Sequence, residues 1–262
     1  MTTLAGRTIA ALRTEHDTLA STVRTLSAEQ LDGTSGATEW TLADALSHLG
    51  SGAEITLAGF RAALGEGEAP GSDFNQGVWD RWNALSPQDQ ADGWIRSDTA
   101  LVTALEAVPE ERHEDLKVDL GFLPAPVPLA SFAAMRLSEA VMHGWDVRVG
   151  VDPAAALAES AAELLAEQLS GGVSFLVGFL GKPPVLSDPA VVEISGTPYR
   201  IVIDEGTRLT TEALPATATF AGPLESALRL LYGRLTSKHT PAGVEVTGNV
   251  TLDELRVVFP GF

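Results

Sequence analysis

The sequence predicts a mainly α-helical protein with a small α+β domain towards its C-terminal end. In the first 150 residues, apolar side chains recur at alternating spacings of three and four, which is the period of amphipathic helices. Beyond residue 183, short runs rich in valine and isoleucine are typical of strands. We therefore expect a four-helix bundle at 1–150, a helical linker region at 151–182 and a small α+β domain at 183–262.

Five helices are predicted in the bundle region, and four of them are long. Thr41 is a suitable N-cap, with Asp44 in the first turn of the helix that follows it. Ser86 caps a later helix whose first residue is Pro87, where proline is favourable. A proline-rich stretch before the fourth long helix predicts a stiff loop. The predicted helices cover 4–26, 42–64, 74–85, 87–108 and 129–147.

The C-terminal part of the chain combines predicted strands and helices. At Asp152-Pro153, a cap is expected to open an alanine-rich helix in the linker region. The strands are predicted from short β-branched runs, and the helices from apolar spacing between them. The predicted strands are 191–195, 199–204, 216–220 and 244–247, and the predicted helices are 223–231 and 252–258.

Composition excludes several classes of function. The chain has 17 Lys and Arg against 35 Asp and Glu, a formal net charge of −18. An acidic surface repels phosphate backbones and anionic lipid head groups, which argues against nucleic-acid or membrane-surface binding as the main activity. Cysteine is absent, which excludes disulfides, thiolate metal ligands and a protein thiol nucleophile. The N-terminal residues lack the apolar core of a signal peptide, so we expect a cytoplasmic protein.

The fourth long helix carries a polar stripe although it is predicted to face the core. Glu139 and His143, at i and i+4, can converge on one cation, as the histidines of H-E-x-x-H zinc helices do. His48, midway along the second long helix, is the best candidate for a third ligand. Such a pair also arises by chance, as a surface pair or a structural histidine, so spacing alone leaves both interpretations open. The stripe consists of Arg136, Glu139, His143 and Asp146.

Tryptophans and the other histidines are further candidates. Trp40, just before the second long helix, and Trp145, on the fourth, could contact a cofactor as a wall for a sugar or an apolar substrate. Core packing is the alternative, because buried aromatic side chains usually have that role. His16 is expected to pack between helices, and His113 and His239 are expected to be solvated loop residues.

Three further motifs occur in the chain in this order: Trp40-Thr-Leu-Ala-Asp-Ala-Leu-Ser-His48-Leu, Arg136-x-x-Glu139-x-x-x-His143-Gly-Trp-Asp146 and Gly222-Pro-Leu-Glu-Ser-Ala-Leu-Arg-Leu-Leu-Tyr-Gly233-Arg234. Together they resemble the mycothiol-dependent maleylpyruvate isomerase family. The resemblance covers nearly the whole chain, and the order of the motifs makes it far more specific than one helical pair. It implies a DinB-like four-helix bundle followed by a small sterol-carrier-protein-like α+β domain.

The resemblance also implies roles for particular residues. In that family, residues like His48, Glu139 and His143 bind a divalent metal, usually zinc. Arg234 ends the third motif, and in the family this segment of the second domain faces the active cleft. Asp146 or Arg136 would orient a ligand from behind, as groups around metal sites commonly do.

The implied function is thiol chemistry without a protein thiol. The family takes its thiol from mycothiol, a small sugar thiol, and a bound zinc ion would favour the thiolate. We expect an S-transferase that transfers this thiol to an electrophilic small molecule or exchanges it there. Isomerisation of a maleylpyruvate-like acid is the alternative. A non-catalytic small-molecule or lipid-binding protein with a structural metal is the alternative from another class.

Overall fold

The computed structural model describes residues 3–71, 73–121, 123–182 and 186–261. The chain divides into two compact units, Met1–Ala155 and Ala156–Phe262. The domain boundary predicted at residue 183 lies outside the described residues. None of the helices in the described ranges combines the length and apolar character of a membrane span.

Helices make up most of the first unit, and the four long ones predicted from the sequence are present. The longest two, at 42–64 and 129–151, carry the predicted metal ligands. A two-stranded antiparallel ribbon, β1 (Lys117–Val118) and β2 (Val127–Pro128), lies in the stretch predicted as a stiff loop. The helices are α1 (Leu4–Val23), α2 (Ala28–Leu31), α3 (Leu42–Leu64), α4 (Phe74–Asn83), α5 (Pro87–Glu106) and α6 (Leu129–Val151).

Local capping fixes where α3 begins and ends. The Thr41 side chain accepts a hydrogen bond from the backbone N–H of Asp44, and the Asp44 carboxylate accepts one from the backbone N–H of Thr41. This reciprocal capping box satisfies two donors that the helix start would otherwise leave unpaired. Gly65 ends the helix in the left-handed conformation, with φ at +78°. His48 is thereby held in the second turn of a helix with a defined start.

The core of the first unit lies where α3 packs against α5 and α6, and where α1 packs against the same two helices. Fully buried apolar side chains such as Leu46 and Trp94 fill it. The Phe60 and Phe132 rings stack with their centroids 5.4 Å apart. Phe60 is near the end of α3 and Phe132 is near the start of α6, so the two helices run antiparallel.

The second unit has a five-stranded sheet and four helices among the described residues. The strand order is β5-β4-β3-β6-β7, with β3 and β6 parallel and the other neighbours antiparallel. All four predicted strands and both predicted helices after residue 190 are present within a few residues of their expected bounds. The elements are α7 (Glu159–Leu169), α8 (Phe175–Leu180), β3 (Ala190–Ile194), β4 (Arg200–Ile203), β5 (Thr207–Thr210), β6 (Ala218–Ala221), α9 (Leu224–Leu231), β7 (Glu245–Gly248) and α10 (Leu252–Val258).

Two local predictions were wrong. No helix begins at Asp152-Pro153; instead Asp152 ends α6, and α7 begins only at Glu159. Proline disfavours the helical conformation of the residue before it, and the Asp152 carboxylate accepts from the backbone N–H of Ala154 in a turn. His113, expected in solvent, is buried, with Nδ1 2.7 Å from Thr3 Oγ1.

Candidate metal centre

Three potential ligands from α3 and α6 converge within the first unit. His48 Nε2 lies 2.9 Å from Glu139 Oε2, and His143 Nε2 lies 3.7 Å from the same oxygen. One ligand atom from each residue lies within 4.8 Å of the other two. Two ligands at about 2.0–2.1 Å from a tetrahedral zinc ion lie roughly 3.3 Å apart. The spacing and the chemistry of this donor set therefore fit a zinc-sized cation.

Helix geometry explains why these residues meet. Glu139 and His143 are one turn apart on the same face of α6. His48 flanks the apolar stripe of α3, and the antiparallel packing of α3 and α6 brings it opposite that turn. The side chains of His48 and Glu139 are 41% and 47% exposed, so solvent reaches the site. Among the described residues the cluster provides three ligands, which leaves a position for water or a substrate on a four-coordinate ion.

Asp146 lies directly behind the site. Its carboxylate oxygen Oδ2 lies 2.9 Å from His143 Nδ1, and its side chain is fully buried. An anionic acceptor at Nδ1 keeps the proton on that nitrogen, so Nε2 carries the lone pair that can bind a metal. This arrangement fits the orienting role that the resemblance implies for Asp146.

Replacing Asp146 with asparagine should weaken zinc affinity by about 10-fold to 100-fold, the usual effect of losing such a partner. The amide can present its NH₂ group to Nδ1, which would favour the tautomer with a protonated Nε2. A competition titration against a chelating dye measures the affinity. Asp152→Asn, at the end of the same helix, is the control that should leave it unchanged. Native affinity in Asp146→Asn would contradict the orienting role.

Glu139 is anionic near neutral pH. Desolvation of the carboxyl group raises its pKa, but the hydrogen bond with His48 and the nearby His143 outweigh that effect. Together with a smaller contribution from Arg136, they lower the pKa of Glu139 to about 2. The site thus offers one negative charge and two imidazole nitrogens, a set suited to a divalent metal.

The two candidate tryptophans have different environments. The half-buried Trp40 ring has its centroid 5.1 Å from that of His48 and 5.5 Å from that of His143, against which it stacks. Trp40 therefore forms a wall of the site. Trp145 is fully buried, and its Nε1–H donates to the carbonyl of Ala155. This burial fits the core interpretation of Trp145.

The loop before α3, which the sequence analysis did not single out, holds Trp40 in place. The backbone N–H of Gly36 donates to the Asp146 carbonyl at 2.8 Å. A Cβ at residue 36 would lie 2.7–2.9 Å from side-chain atoms of Val149, Trp145 and Asp146, so only glycine allows this close approach. Ser35 donates to the Trp40 carbonyl through both its backbone N–H and its hydroxyl.

Arg136 and Arg234 donate hydrogen bonds to groups other than the three candidate ligands. Arg136 is buried, and its Nη2 donates to Asp98 Oδ1 at 2.6 Å. Arg234, in the second unit, is also buried, and its Nη1 donates to the Tyr232 carbonyl at 2.8 Å. Its predicted role toward a substrate stays a prediction. Gly233, with φ at +73°, ends α9 and sets the direction in which Arg234 leaves it.

A groove of about 770 Å³ lies on the face of α3 that carries His48. It begins at Ile55 and Thr56, two turns beyond His48 or about 12 Å along the helix. From α6 it is lined by Phe132, two turns before Glu139. Most of the remaining lining is small or apolar, including Gly59, Ala62, Ala63, Val118 and Pro126.

Comparisons with known proteins agree with this fold. Two solved structures resemble the chain, each with a TM-score of 0.65, 16% sequence identity, and coverage of 95% of this chain and 98% of the other. They are the crystal structures of the mycothiol-dependent maleylpyruvate isomerase and of a histidine-to-alanine mutant of it. They confirm the predicted fold class. No protein with a curated description matches the chain.

The family comparison concerns the part of the chain that contains the three candidate ligands. The model of the mycothiol maleylpyruvate isomerase N-terminal domain matches residues 12–148, more than half of the chain. This range contains His48, Glu139, His143 and Asp146, and it ends within α6. The chain therefore belongs to the mycothiol maleylpyruvate isomerase N-terminal domain family.

Proposed function

We propose that the chain is an enzyme that binds a divalent metal, most favourably zinc, through His48, Glu139 and His143 and uses the thiol of mycothiol on a small electrophile. The proposal rests on the convergence of these three ligand atoms, which could hold one ion and leave it an open coordination position. The family description and the names of the structural neighbours support mycothiol as the thiol. The absence of cysteine agrees with a thiol supplied from outside the chain.

Each residue of the site has a distinct task. A divalent cation here would lower the pKa of a thiol at the open position and so favour the nucleophilic thiolate. Glu139 offsets part of the positive charge, and Asp146 keeps His143 oriented through Nδ1. Trp40 presents its ring beside both histidines, where it can pack against the sugar of mycothiol.

Two outcomes of thiolate attack are chemically open. In transfer, the new C–S bond persists, and the electrophile takes up a proton or loses a leaving group. In isomerisation, the thiolate adds to an electron-poor double bond, the carbon–carbon bond rotates, and the C–S bond breaks again. We favour transfer because the sequence shows no second arginine or lysine cluster suited to a dicarboxylate. The names of the structural neighbours favour isomerisation of a maleylpyruvate-like acid as the second candidate.

Metal analysis combined with calorimetric titration of mycothiol tests this proposal. The purified protein should contain about one zinc ion and bind mycothiol, and prior treatment with a chelator should abolish thiol binding. A protein with a structural metal would retain zinc but show no heat of thiol binding. That result would contradict the enzymatic proposal. Analysis of the product then separates a stable thiol adduct from an isomerised acid.

The groove that begins two turns beyond His48 on α3 is the proposed position for the distal organic part of the electrophile. A Cβ at Gly59 would meet no atom within 4 Å, so tryptophan can enter the groove without disturbing the helix packing. Gly59→Trp should reduce kcat/KM for a bulky aromatic electrophile such as a bromobimane by at least about tenfold. If the tryptophan keeps roughly 60 Å² of the electrophile's apolar surface from being buried, the loss is about 1.4 kcal/mol, which corresponds to that factor.

The matched control is Gly77→Trp, at another open helical glycine that does not line the groove. Both variants should keep native zinc content and native affinity for mycothiol. Equal turnover in Gly59→Trp and Gly77→Trp would remove the groove from the substrate path.

A further inference from the structure

A buried polar chain links three helices of the first unit. His16 on α1 has Nδ1 2.8 Å from Asp98 Oδ2 on α5, and Arg136 on α6 donates from Nη2 to Asp98 Oδ1 at 2.6 Å. The three side chains are 4%, 5% and 5% exposed. On its other side, His16 Nε2 lies 3.0 Å from Thr99 Oγ1. Both nitrogens of the buried His16 ring are therefore held.

The buried polar chain of His16, Asp98 and Arg136 ends at α3 and α6, the two helices that supply the proposed metal ligands. Arg136 Nη2 also donates to the backbone carbonyl of Leu49 at 2.9 Å. Leu49 follows His48 on α3, and Glu139 lies three residues after Arg136 on α6. The guanidinium thus joins α3 to α6 within one turn of both ligands.

A buried ionic chain of this kind is costly to retain. Burying charged groups in low dielectric offsets much of their mutual attraction, and an apolar set of similar volume is often at least as stable. The Nε of Arg136 is also buried without a hydrogen-bond partner in the described structure, which adds a desolvation cost. A role in specifying geometry explains the retention of this arrangement better than a role in stability alone.

We propose that His16, Asp98 and Arg136 are positioning residues for the metal centre. Asp98, fixed by His16, holds the Arg136 guanidinium, and Arg136 sets the separation of α3 and α6 at which His48 and Glu139 reach one ion. Metal sites need their ligands placed within roughly 0.5 Å, so a small shift between the two helices weakens binding. The inference rests on the proposed metal centre. None of the three residues touches thiol or substrate in this scheme.

The structure also provides a matched control. Arg148 on α6 donates to Glu15 on α1 at 3.2 Å, and their side chains are 15% and 5% exposed. This pair joins two of the same helices and contains an equally buried carboxylate. The hydrogen bond between Arg148 and Glu15 joins α1 to α6 and not to α3, so its loss should destabilise the unit without changing the spacing of the ligands.

The test compares zinc affinity and the visible spectrum of the Co²⁺-substituted protein in native, Asp98→Asn, Arg136→Lys and Glu15→Gln proteins. Asp98→Asn and Arg136→Lys should bind zinc at least tenfold more weakly and shift the Co²⁺ absorption bands. Glu15→Gln should lower the melting temperature but keep native affinity and spectrum. Arg136→Lys, which retains the charge, decides the question if Asp98→Asn does not fold.

Zinc affinity within twofold of native in Asp98→Asn or Arg136→Lys would overturn the positioning role. Equal weakening in Glu15→Gln would overturn it as well, because the effect would then reflect general destabilisation. If the native protein binds no zinc, the metal centre itself is contradicted. If the native protein and all variants bind zinc with the same affinity, only the positioning role is contradicted.

Discussion

Replacing His143 with alanine is expected to abolish stoichiometric zinc binding and thiol-dependent turnover. The loss should exceed the roughly 100-fold effect of removing an outer partner, because a direct ligand is removed. Alanine is the best helix former, and His143 is partly exposed at the edge of the core, so the metal-free fold should persist. Metal analysis of the purified variant and its circular dichroism spectrum measure the two effects separately.

Three further variants define the ligand set. His48→Ala should behave like His143→Ala, whereas His239→Ala in the second unit should retain the metal. Glu139→Gln keeps the shape of the side chain but removes its charge, so we expect weaker metal binding. Because the charge of the ion is then less offset, we also expect a lower pKa for a thiol bound to the remaining metal. Stoichiometric metal with unchanged affinity in His48→Ala or His143→Ala would show that the ligand assignment is wrong.

Arg234→Lys is expected to reduce kcat/KM by about 10-fold to 100-fold while zinc content and melting temperature stay near native. We propose that Arg234 recognises a carboxylate of the substrate with its planar guanidinium, which lysine cannot reproduce. A hydrogen bond to a charged group contributes roughly 1.5–3 kcal/mol, which sets the expected range. The competing explanation is structural, since Arg234 already donates to the Tyr232 carbonyl at the end of α9.

The two explanations for Arg234 predict different results. In a purely structural role, lysine retains a favourable charge near the helix end, worth roughly 0.3–1 kcal/mol, and turnover stays near native. Arg256→Lys is the control, because Arg256 is a partly buried arginine of the same unit that donates to the Leu235 carbonyl. Turnover that is indifferent to both Arg234→Lys and Arg234→Ala would remove Arg234 from the site.

The elements with strong local signals were predicted well. The capping residues Thr41 and Ser86 placed the starts of α3 and α5, and apolar spacing supplied their lengths. β5 was missed, although it is as long as β4, β6 and β7, which were predicted. The turn signal before it, at Asp204 and Gly206, was available in the sequence but was not used.

At the site, local sequence patterns predicted some residues, whereas contacts between segments distant in sequence were not predicted. Helical spacing put Glu139, His143 and Asp146 on one face. His48 was already the best candidate for a third ligand, and the family resemblance implied the same three metal-binding residues. Spacing also put Arg136 on that face but could not reveal its partner. Asp98 lies 38 residues before Arg136, and nothing local in either segment identifies the contact. Pairs of this kind depend on how helices pack, which a single sequence does not encode as a pattern.

The distance along the chain between the metal ligands has a thermodynamic consequence. His48 and Glu139 are 91 residues apart in sequence, so the site exists only while α3 and α6 are packed together. An ion that binds only the folded form stabilises it through mass action, by about 2.7 kcal/mol when the free ion is at 100 times its dissociation constant. That amount is a large part of the usual stability of a domain. The supply of metal would therefore govern the lifetime and abundance of the folded first unit as well as its chemistry.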